Sequence, residues 1–206
     1  MMSDLPERLA ERLHGPLPGK QAQRRFAPTL GYGRHHGPPP HDARSAAVML
    51  LLHTDSAETA DWRLPMMLRP HSMPSHAGQV SFPGGTSEPG ETSEQTALRE
   101  LHEELGVPGE AVRVLGRLTS LYVWASNFHV TPVVGVATRA IEFRPCASEV
   151  AELLDVPLAA ITDRACRGEH AICRRSLVFR APHIEACGHR IWGASCMMLG
   201  ELAALL

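Results

Sequence analysis

The stretch GTSEPGETSEQTALRELHEELGV, from Gly85 to Val107, carries the most informative pattern in this chain. Its leucines recur at helical spacing, at Leu98, Leu101 and Leu105. Such a stripe is typical of a helix that packs on a core through one face. Thr92 or Ser93 can cap its start and Gly106 can end it. The segment therefore predicts a helix of about four turns.

Three carboxylates, Glu100, Glu103 and Glu104, lie on a second face of this predicted helix. At roughly 100° per residue they project from an arc of about 100°, apart from the leucines. We expect them to converge on one exposed face. Like charges at i and i+4 cost roughly a few tenths of a kcal/mol, so the pattern favours a bound cation. The alternative is a solvated acidic face neighboured by Arg99.

A glycine-rich turn precedes the acidic helix, with Gly84, Gly85 and Gly90. Such a turn can bring Glu91 and main-chain carbonyls back toward the helix. Carboxylates, carbonyls and water are hard oxygen ligands, which suit Mg²⁺ or Mn²⁺ better than zinc. This second observation shifts the balance from a solvated face toward a metal site.

The whole segment fits the pattern G-x5-E-x7-R-E-U-x-E-E-x-G-U, where U is aliphatic. Its positions are filled by Gly85, Glu91, Arg99, Glu100, Leu101, Glu103, Glu104, Gly106 and Val107. In this the chain resembles the Nudix hydrolases. The resemblance implies the α/β (α+β) class, with an α/β/α sandwich around a mixed β-sheet. It also implies metal-dependent cleavage of a diphosphate linked to another moiety.

The resemblance further implies roles for individual residues. Glu100, Glu103 and Glu104 look like the ligands of a divalent cation, to which the carbonyl of Gly85 can add, and Glu91 pairs with Arg99. Either Glu103 or Glu104 can accept the proton of the attacking water. Outside the motif, Glu149 is a candidate fourth carboxylate or catalytic base; an ordinary charge at a helix start is the alternative.

Upstream, LRPHSMPSHAGQVSFPGG resembles the coenzyme A pyrophosphatase branch, whose pattern is roughly L-L-T-x-R-S-x3-R-x3-G-x3-F-P-G-G. The matching residues are Arg69, Gly78, Phe82, Pro83, Gly84 and Gly85. The departures are Met67 in place of Thr, Pro70 in place of Ser, and Pro74 at the second Arg position. An expected phosphate or adenine contact can therefore be missing or come from elsewhere.

The branch implies hydrolysis of coenzyme A or its thioesters to 3',5'-ADP and 4'-phosphopantetheine or its acyl derivative. Arg69, Gly78, Phe82 and Gly84 are the candidate substrate-binding residues. For Arg69 the alternative is a surface charge at a strand end, and for Phe82 burial is favoured over stacking. Two other functions stay open: the same chemistry on ADP-ribose or another nucleoside diphosphate derivative, and nucleotide sensing without turnover.

The remaining chain predicts two regions, 1–45 and 46–206. The first holds an amphipathic helix at 4–13 with a possible cap at Asp4, then an irregular arm rich in Pro, Gly and Arg. In the second region we expect strands at AAVMLLLHT, WRLPMMLR, GQVSFPGG, VRVLGRLTSLYVWAS, HVTPVVGVAT, RSLVFR and HRIWGA. Helical pieces are expected at SEVAELLDV, PLAAITDR and SCMMLGELAALL.

Bulk composition limits the partners. A formal charge of -2 and an isoelectric point near 6.6 give no basic excess for nucleic acid. The five cysteines show no C-x-x-C pair, which favours reduced thiols. No stretch approaches the roughly 20 apolar residues of a membrane span. We expect a cytoplasmic protein acting on a small molecule, with no nucleic-acid or membrane partner; the resemblance allows a homodimer.

Overall fold

A computed structural model of the chain describes residues 5–29, 37–54, 61–72, 76–174 and 177–206. The helices are α1 (Leu5–His14), α2 (Gly19–Arg24), α3 (Ser93–Leu105), α4 (Leu158–Thr162) and α5 (Gly193–Ala203). Single 3₁₀ turns lie at Gly109–Ala111 and Arg164–Cys166. Within these ranges no helix is long and apolar enough to cross a membrane.

The strands form three sheets. They are β1 (Arg44–Leu52), β2 (Arg63–Leu68), β3 (Val80–Ser81), β4 (Gly84–Thr86), β5 (Val112–Arg117), β6 (Leu121–Val123), β7 (Phe128–Ala137), β8 (Glu152–Pro157), β9 (Arg167–Arg174), β10 (Leu177–Ala186) and β11 (His189–Trp192). The central sheet has the order β4-β1-β7-β5, with β6 also paired to β7. The two smaller antiparallel sheets are β3-β2-β8 and β11-β10-β9.

Strand β1 organises the central sheet. It runs parallel to β7, from the pair Arg44 and Phe128 to the pair Leu52 and Val136. On its other edge it pairs antiparallel with β4, where Val48 lies opposite Gly84. This register places the two glycines at the start of the acidic motif against the middle of a buried strand.

Alternation along β1 creates two apolar layers. Leu50 and Leu52 belong to the core that α1, α2 and α5 cover. Met49 and Leu51 face the opposite side, where they pack with Leu101 of α3. Successive side chains of a strand point to opposite faces of its sheet, so one nine-residue strand supports helices on both faces. The predicted α/β/α sandwich is confirmed.

The N-terminal helix prediction is confirmed by α1, whose Leu9 and Leu13 are buried; the proposed cap Asp4 lies outside the described residues. The predicted irregular arm is wrong at Gly19–Arg24, which forms α2. Phe26 just beyond it packs in the same core as the sheet. These contacts place the described part of region 1–45 against the rest of the fold.

A buried polar network holds α2 in place. Glu201 of α5 is fully buried and accepts hydrogen bonds from the backbone N–H of Gly19 at 3.1 Å and of Thr119 at 3.2 Å. Its other oxygen accepts from Nε2 of Gln23 at 2.7 Å. Burying a carboxylate costs less free energy when its oxygens are hydrogen-bonded, so these contacts stabilise Glu201 in the interior. They also join α2 to α5, two helices that lie far apart in the sequence.

Most of the other predicted elements are confirmed, but some differ, and VRVLGRLTSLYVWAS forms the two strands β5 and β6. The sequence predicts a helical piece at SEVAELLDV, but Glu152–Pro157 forms strand β8 paired with β2. Strand β9 has no counterpart among the predicted elements, and it pairs with β10 over eight residues. The segment GQVSFPGG forms two strands rather than one, because β3 belongs to the sheet β3-β2-β8 and β4 belongs to the central sheet. All five cysteines are free thiols.

Candidate active site

Helix α3 has well-defined ends. Thr92 is its N-cap and accepts a hydrogen bond from the backbone N–H of Gln95, while the Gln95 side chain accepts from Thr92, which completes a capping box. Gly106 ends the helix in the left-handed conformation at φ 71°. The predicted helix and both predicted caps are confirmed, so the spacing of the motif does correspond to helical geometry.

The three motif carboxylates differ strongly in exposure. The Glu103 side chain is 55% exposed and that of Glu100 is 14% exposed, whereas Glu104 as a residue is only 2% exposed. The prediction of one exposed acidic face is therefore wrong for Glu104. Its position near the leucine stripe turns it inward toward β4, where it accepts a hydrogen bond from the backbone N–H of Gly84 at 2.8 Å.

Arg99 is the central cation of the site. Its Nε donates to Glu91 at 2.8 Å and its NH2 group to the second Glu91 oxygen at 3.1 Å, a two-pronged contact. The NH1 group donates to Glu100 and to Glu103, both at 2.9 Å. A further bond reaches the carbonyl of Thr86 at 3.0 Å. Arg99 thus fixes the loop before the helix against two of the three acids.

Gly85 lies directly beneath the Glu100 carboxylate. A side chain at this position would place its Cβ 2.6 Å from Cδ of Glu100 and 2.7 Å from its Oε2. Real Cβ atoms do not approach other heavy atoms this closely. The glycine therefore leaves the space in which the carboxylate lies against the main chain of β4.

The structure brings Glu149 to the same site. The segment before it crosses the end of α3, where the N–H of Arg144 bonds to the Leu105 carbonyl and that of Cys146 to the Glu104 carbonyl, both at 2.8 Å. The charge of Glu149 raises the pKa of both Glu100 and Glu104. Glu149 lies in a turn before β8, so the alternative of a charge at a helix start is wrong.

Burial and mutual repulsion raise the pKa of the inner acids. Burial raises the pKa of Glu104 to about 8, against the opposing hydrogen bond from Gly84, with Glu100 and Glu149 adding repulsion. Burial likewise raises the pKa of Glu100. The hydrogen bond from Arg99 lowers the pKa of Glu91 to about 2. The inner part of the site therefore concentrates carboxylates with too little positive charge around them.

The candidate ligand atoms are of the chemical type that divalent cations such as Mg²⁺ bind. Glu100, Glu103 and Glu104 supply hard carboxylate oxygens on neighbouring turns of α3, and the buried Glu104 lacks a partner ion in direct contact within the described residues. In those residues no three His, Cys, Asp or Glu side chains converge closely enough to hold a metal. Glu100 and Glu103 instead share NH1 of Arg99, which takes one oxygen of each carboxylate.

A cavity of about 340 Å³ opens beside the acidic cluster. Its walls include Gly84, Gly85 and Thr86 of β4, which lie between the cavity and α3. Other wall residues come from distant parts of the chain and include Pro28, Arg69, Trp124, Phe128, Phe179, Trp192 and Met198. The size falls in the range of small-molecule sites.

Of the predicted substrate-binding residues, Arg69, Phe82 and Gly84 line this cavity. Arg69 follows β2, its charge lowers the pKa of Glu104, and its Nε is buried without a hydrogen-bond partner in the described residues. Phe82 is 2% exposed and belongs to the core, as expected for burial. Gly78 is not among the wall residues; at φ 66° it donates to the Arg69 carbonyl at 3.1 Å and shapes the turn.

Sequence reasoning missed the far wall of the cavity. Phe179, Trp192 and Met198 come from β10, β11 and α5, and Pro28 comes from the N-terminal segment. Their positions depend on how distant elements pack, for which a single sequence carries no local signal. Phe128 of β7 also lines the cavity. Tyr122 of β6 donates a hydrogen bond to Oδ1 of Asn127 at 2.8 Å.

Comparison with known proteins identifies the family. The NUDIX domain family matches residues 44–161. The Nudix hydrolase NudL of Photorhabdus laumondii, described as uncharacterized, is 33% identical over 171 residues, which cover 81% of this chain and 89% of that protein. Nudix hydrolase 3 of Caenorhabditis elegans is 32% identical over 185 residues, covering 80% and 75% of the two chains.

Solved structures agree on the fold. The MutT/nudix family protein from Enterococcus faecalis superposes with a TM-score of 0.52 at 16% identity and covers 85% of this chain and 67% of its own. The protein DR0079 from Deinococcus radiodurans gives 0.50 at 14% identity, with 78% and 85% covered. Taken with the family match and the relatives, this shows that the chain belongs to the NUDIX domain family and is a Nudix hydrolase.

Proposed function

We propose that the protein hydrolyses the diphosphate bond of coenzyme A or its thioesters, giving 3',5'-ADP and 4'-phosphopantetheine or its acyl derivative. The observation that carries the proposal is the cavity of about 340 Å³ beside the motif. Arg69 and the glycines of β4 lie in the same walls as a large apolar surface. A diphosphate that joins a nucleotide to a long, uncharged arm matches this combination.

Nudix enzymes generally use divalent metal cations, and we propose Mg²⁺ or Mn²⁺ here. Glu100, Glu103 and Glu104, with the carbonyl of Gly85, are the residues that would hold the cation. When bound, it would neutralise diphosphate charge and lower the pKa of a water molecule. The backbone N–H of Gly84 holds Glu104 and Arg99 holds Glu100, so both carboxylates are positioned in advance for a cation that would offset the cost of their burial.

The remaining roles follow from exposure and position. Glu103 is the most exposed of the motif acids, so it is the carboxylate that solvent water reaches most easily. We assign it as the first candidate proton acceptor, with Glu149 and Glu104 as the others. Arg69 would bind the diphosphate through its guanidinium, which suits phosphate geometry. Glu91 would act indirectly, by holding Arg99 in place.

A second candidate substrate is ADP-ribose or another nucleoside diphosphate derivative. It is favoured by Pro70, which directly follows Arg69 and removes a hydroxyl that the coenzyme A pattern has at this position. Pro74, another of the three departures, lies outside the described residues. The aromatic wall of the cavity would also accept the flat face of a base.

A substrate panel with product masses tests the proposal. Purified protein with Mg²⁺ would be given coenzyme A, acetyl-coenzyme A, ADP-ribose, diadenosine polyphosphates and NADH separately. We expect 3',5'-ADP and 4'-phosphopantetheine from coenzyme A. Intact coenzyme A alongside turnover of ADP-ribose would refute the first proposal and support the second.

Two variants test the assigned chemistry. Glu103→Gln should lower kcat by about 10²–10⁴-fold, the usual contribution of a positioned proton acceptor. Glu94→Gln makes the same change on the same helix, at a residue paired with Arg117 rather than with the acidic cluster, and should keep wild-type turnover. Full activity of a folded Glu103→Gln protein would remove Glu103 from the mechanism. Comparable losses in both variants would point to a general effect on the helix.

A further inference from the structure

The cavity beside the acidic motif contains few positive charges. Arg69 and His76 are the only ionisable side chains among the wall residues that the structure describes. Arg69 lies close enough to the acids for its charge to lower the pKa of Glu104, so it is placed for phosphate groups next to the motif. Within the described walls, His76 is therefore the one other side chain that can carry a positive charge.

His76 lies in the turn that joins β2 to β3. The N–H of Arg69, just after β2, donates to the Gln79 carbonyl at 3.0 Å, which closes the paired part of this hairpin. His76 comes before β3, whereas Gly84, which donates to Glu104, comes after it. Groups at the two ends of an extended segment are held apart. A phosphate at His76 is therefore distinct from one that faces the acids.

A hydrogen bond orients the imidazole ring of His76. Its Nδ1 donates to Oε1 of Gln79 at 2.8 Å, and Gln79 also lines the cavity. An amide oxygen only accepts hydrogen bonds, so Nδ1 keeps its proton whether the ring is neutral or charged. The second proton, which makes the ring cationic, belongs to Nε2. The bond to Gln79 is therefore compatible with a positively charged His76.

The main chain at His76 has an uncommon conformation. Its φ of 57° lies in the left-handed region, which residues other than glycine adopt rarely. The His76 carbonyl accepts from the N–H of Gln79 at 3.1 Å, and a glycine would form this turn with less strain. Residues held in such conformations cluster at functional sites. The conformation thus supports a role for the side chain beyond shaping the turn.

We propose that His76 binds the 3'-phosphate of coenzyme A or its thioesters. The proposal rests on the proposed function and adds a residue that recognises the nucleotide end of the substrate. With the diphosphate at the motif and Arg69, the 3'-phosphate is the remaining ionised group of coenzyme A, with a charge of about −1.5 to −2 at pH 7. Burying such a group without a cation is costly, and an imidazolium at His76 would supply that cation.

Coenzyme A and dephospho-coenzyme A test the proposal, because they differ only in the 3'-phosphate. With Mg²⁺, the wild type should cleave coenzyme A with a kcat/KM about tenfold or more above that for dephospho-coenzyme A, the usual effect of one hydrogen bond between charged groups. His76→Asn removes the cation and keeps a residue type that tolerates the left-handed conformation, so this preference should be lost. His76→Gln removes the same charge and should behave alike.

His71→Asn is the matched control. His71 lies near the same turn, where a Cβ atom on Gly78 would come within 2.6 Å of Cε1 of His71. It is not among the wall residues of the cavity. The control should keep the wild-type ratio of the two kcat/KM values. A loss of that ratio as large as in His76→Asn would indicate a general effect on the turn and would overturn the role of His76.

The outcomes separate this proposal from the proposed function. Wild-type enzyme that cleaves both substrates with equal kcat/KM would overturn the role of His76 and leave the proposed function intact. The role would also be overturned if folded His76→Asn and His76→Gln proteins, checked by circular dichroism, keep the wild-type preference. Equal losses on both substrates would place His76 at the diphosphate and overturn it as well. Wild-type enzyme that cleaves neither substrate would overturn the proposed function itself.

Discussion

Gly85 and Glu100 are matched in shape: the carboxylate of Glu100 occupies the volume that any side chain at residue 85 would need. The glycine belongs to β4 and the glutamate to α3. The motif thus joins a strand and a helix through a contact that requires the absence of a Cβ atom. This explains in physical terms why a glycine stands at the first position of the pattern.

Replacing Gly85 with Ala should lower activity much more than stability. The new Cβ would displace the Glu100 carboxylate, and a misplacement of about 1 Å at a reacting centre can cost roughly 100-fold. The displaced group is the end of a flexible side chain, so thermal unfolding should change little. Gly109→Ala is the matched control, since among the described residues other than its chain neighbours no atom lies within 4 Å of the place that its new methyl group would take. Equal turnover in the two variants would contradict this account.

The stability of the metal-free protein should fall as the pH rises from about 4.5 to about 8. The folded pKa of Glu104 is raised from 4.5 to about 8, so folding favours the protonated acid. The stabilising contribution of protonated Glu104 is fully present below the pKa of the unfolded state and is lost as the pH rises through the pKa of the folded state. The loss in the free energy of unfolding is at most about 1.4 kcal/mol per pH unit.

Glu104→Gln should remove this part of the pH dependence, because the amide keeps an acceptor for Gly84 and carries no charge. Unfolding in urea with a chelator, at pH 5 and pH 9, measures the difference. We expect the variant to be the more stable protein at pH 9 and to lose turnover by about 100-fold. If the free energy of unfolding changes with pH by the same amount in the variant and in the wild type, Glu104 is not the source of this pH dependence.

The opposite sign is expected at acidic pH for the pair of Glu91 and Arg99. The pKa of Glu91 is lowered to about 2, so the charged acid is favoured by folding. Its contribution is present above about 4.5 and is lost as the pH falls toward 2. The wild type should be more stable than Glu91→Gln near neutral pH, and acid titrations should bring the two together. Glu110→Gln, on an exposed turn, provides the comparison.

Glu149 should influence the pH profile of catalysis through its charge. The negative charge of Glu149 raises the pKa of Glu104 and of Glu100. In the Glu149→Gln variant, the part of the pH–activity profile that depends on ionisation of these two acids should therefore shift to lower pH. If Glu149 is the proton acceptor, kcat also falls by about 100-fold or more. Glu152→Gln, three residues on and paired with His189, should leave the profile in place.

The sequence was most informative where local physics sets the structure. The helix at Ser93–Leu105 follows from its leucine spacing, its Thr92 cap and its terminal Gly106, which are all local features. The inward turn of Glu104 does not follow from them, because its burial depends on β4 lying against the helix, as the bond to Gly84 shows. The spacing of Glu100, Glu103 and Glu104 predicted that the three acids lie close together, but it did not predict that they differ in burial.

Local preference failed where long-range pairing decides the structure. The stretch SEVAELLDV was predicted to be helical, yet the backbone of Glu152–Pro157 pairs with β2 from Leu68 to Arg63. Sheet pairing commonly overrides a weak intrinsic preference. The far wall of the cavity was beyond prediction for the same reason, because Trp192 and Pro28 line one cavity only after distant parts of the chain have packed together.

The polar network around Glu201 has a consequence for how the chain can be shortened. Of its three hydrogen-bond donors in the described residues, Gly19 and Gln23 belong to the first helices and only Thr119 would survive removal of residues 1–29. Truncation would remove two of the three donors that hold this carboxylate and expose the apolar surface of α5 to water, so the shortened protein should unfold at a lower temperature. Helix α2 therefore belongs to the same folded unit as the acidic motif, although it precedes the part of the chain that the family match covers.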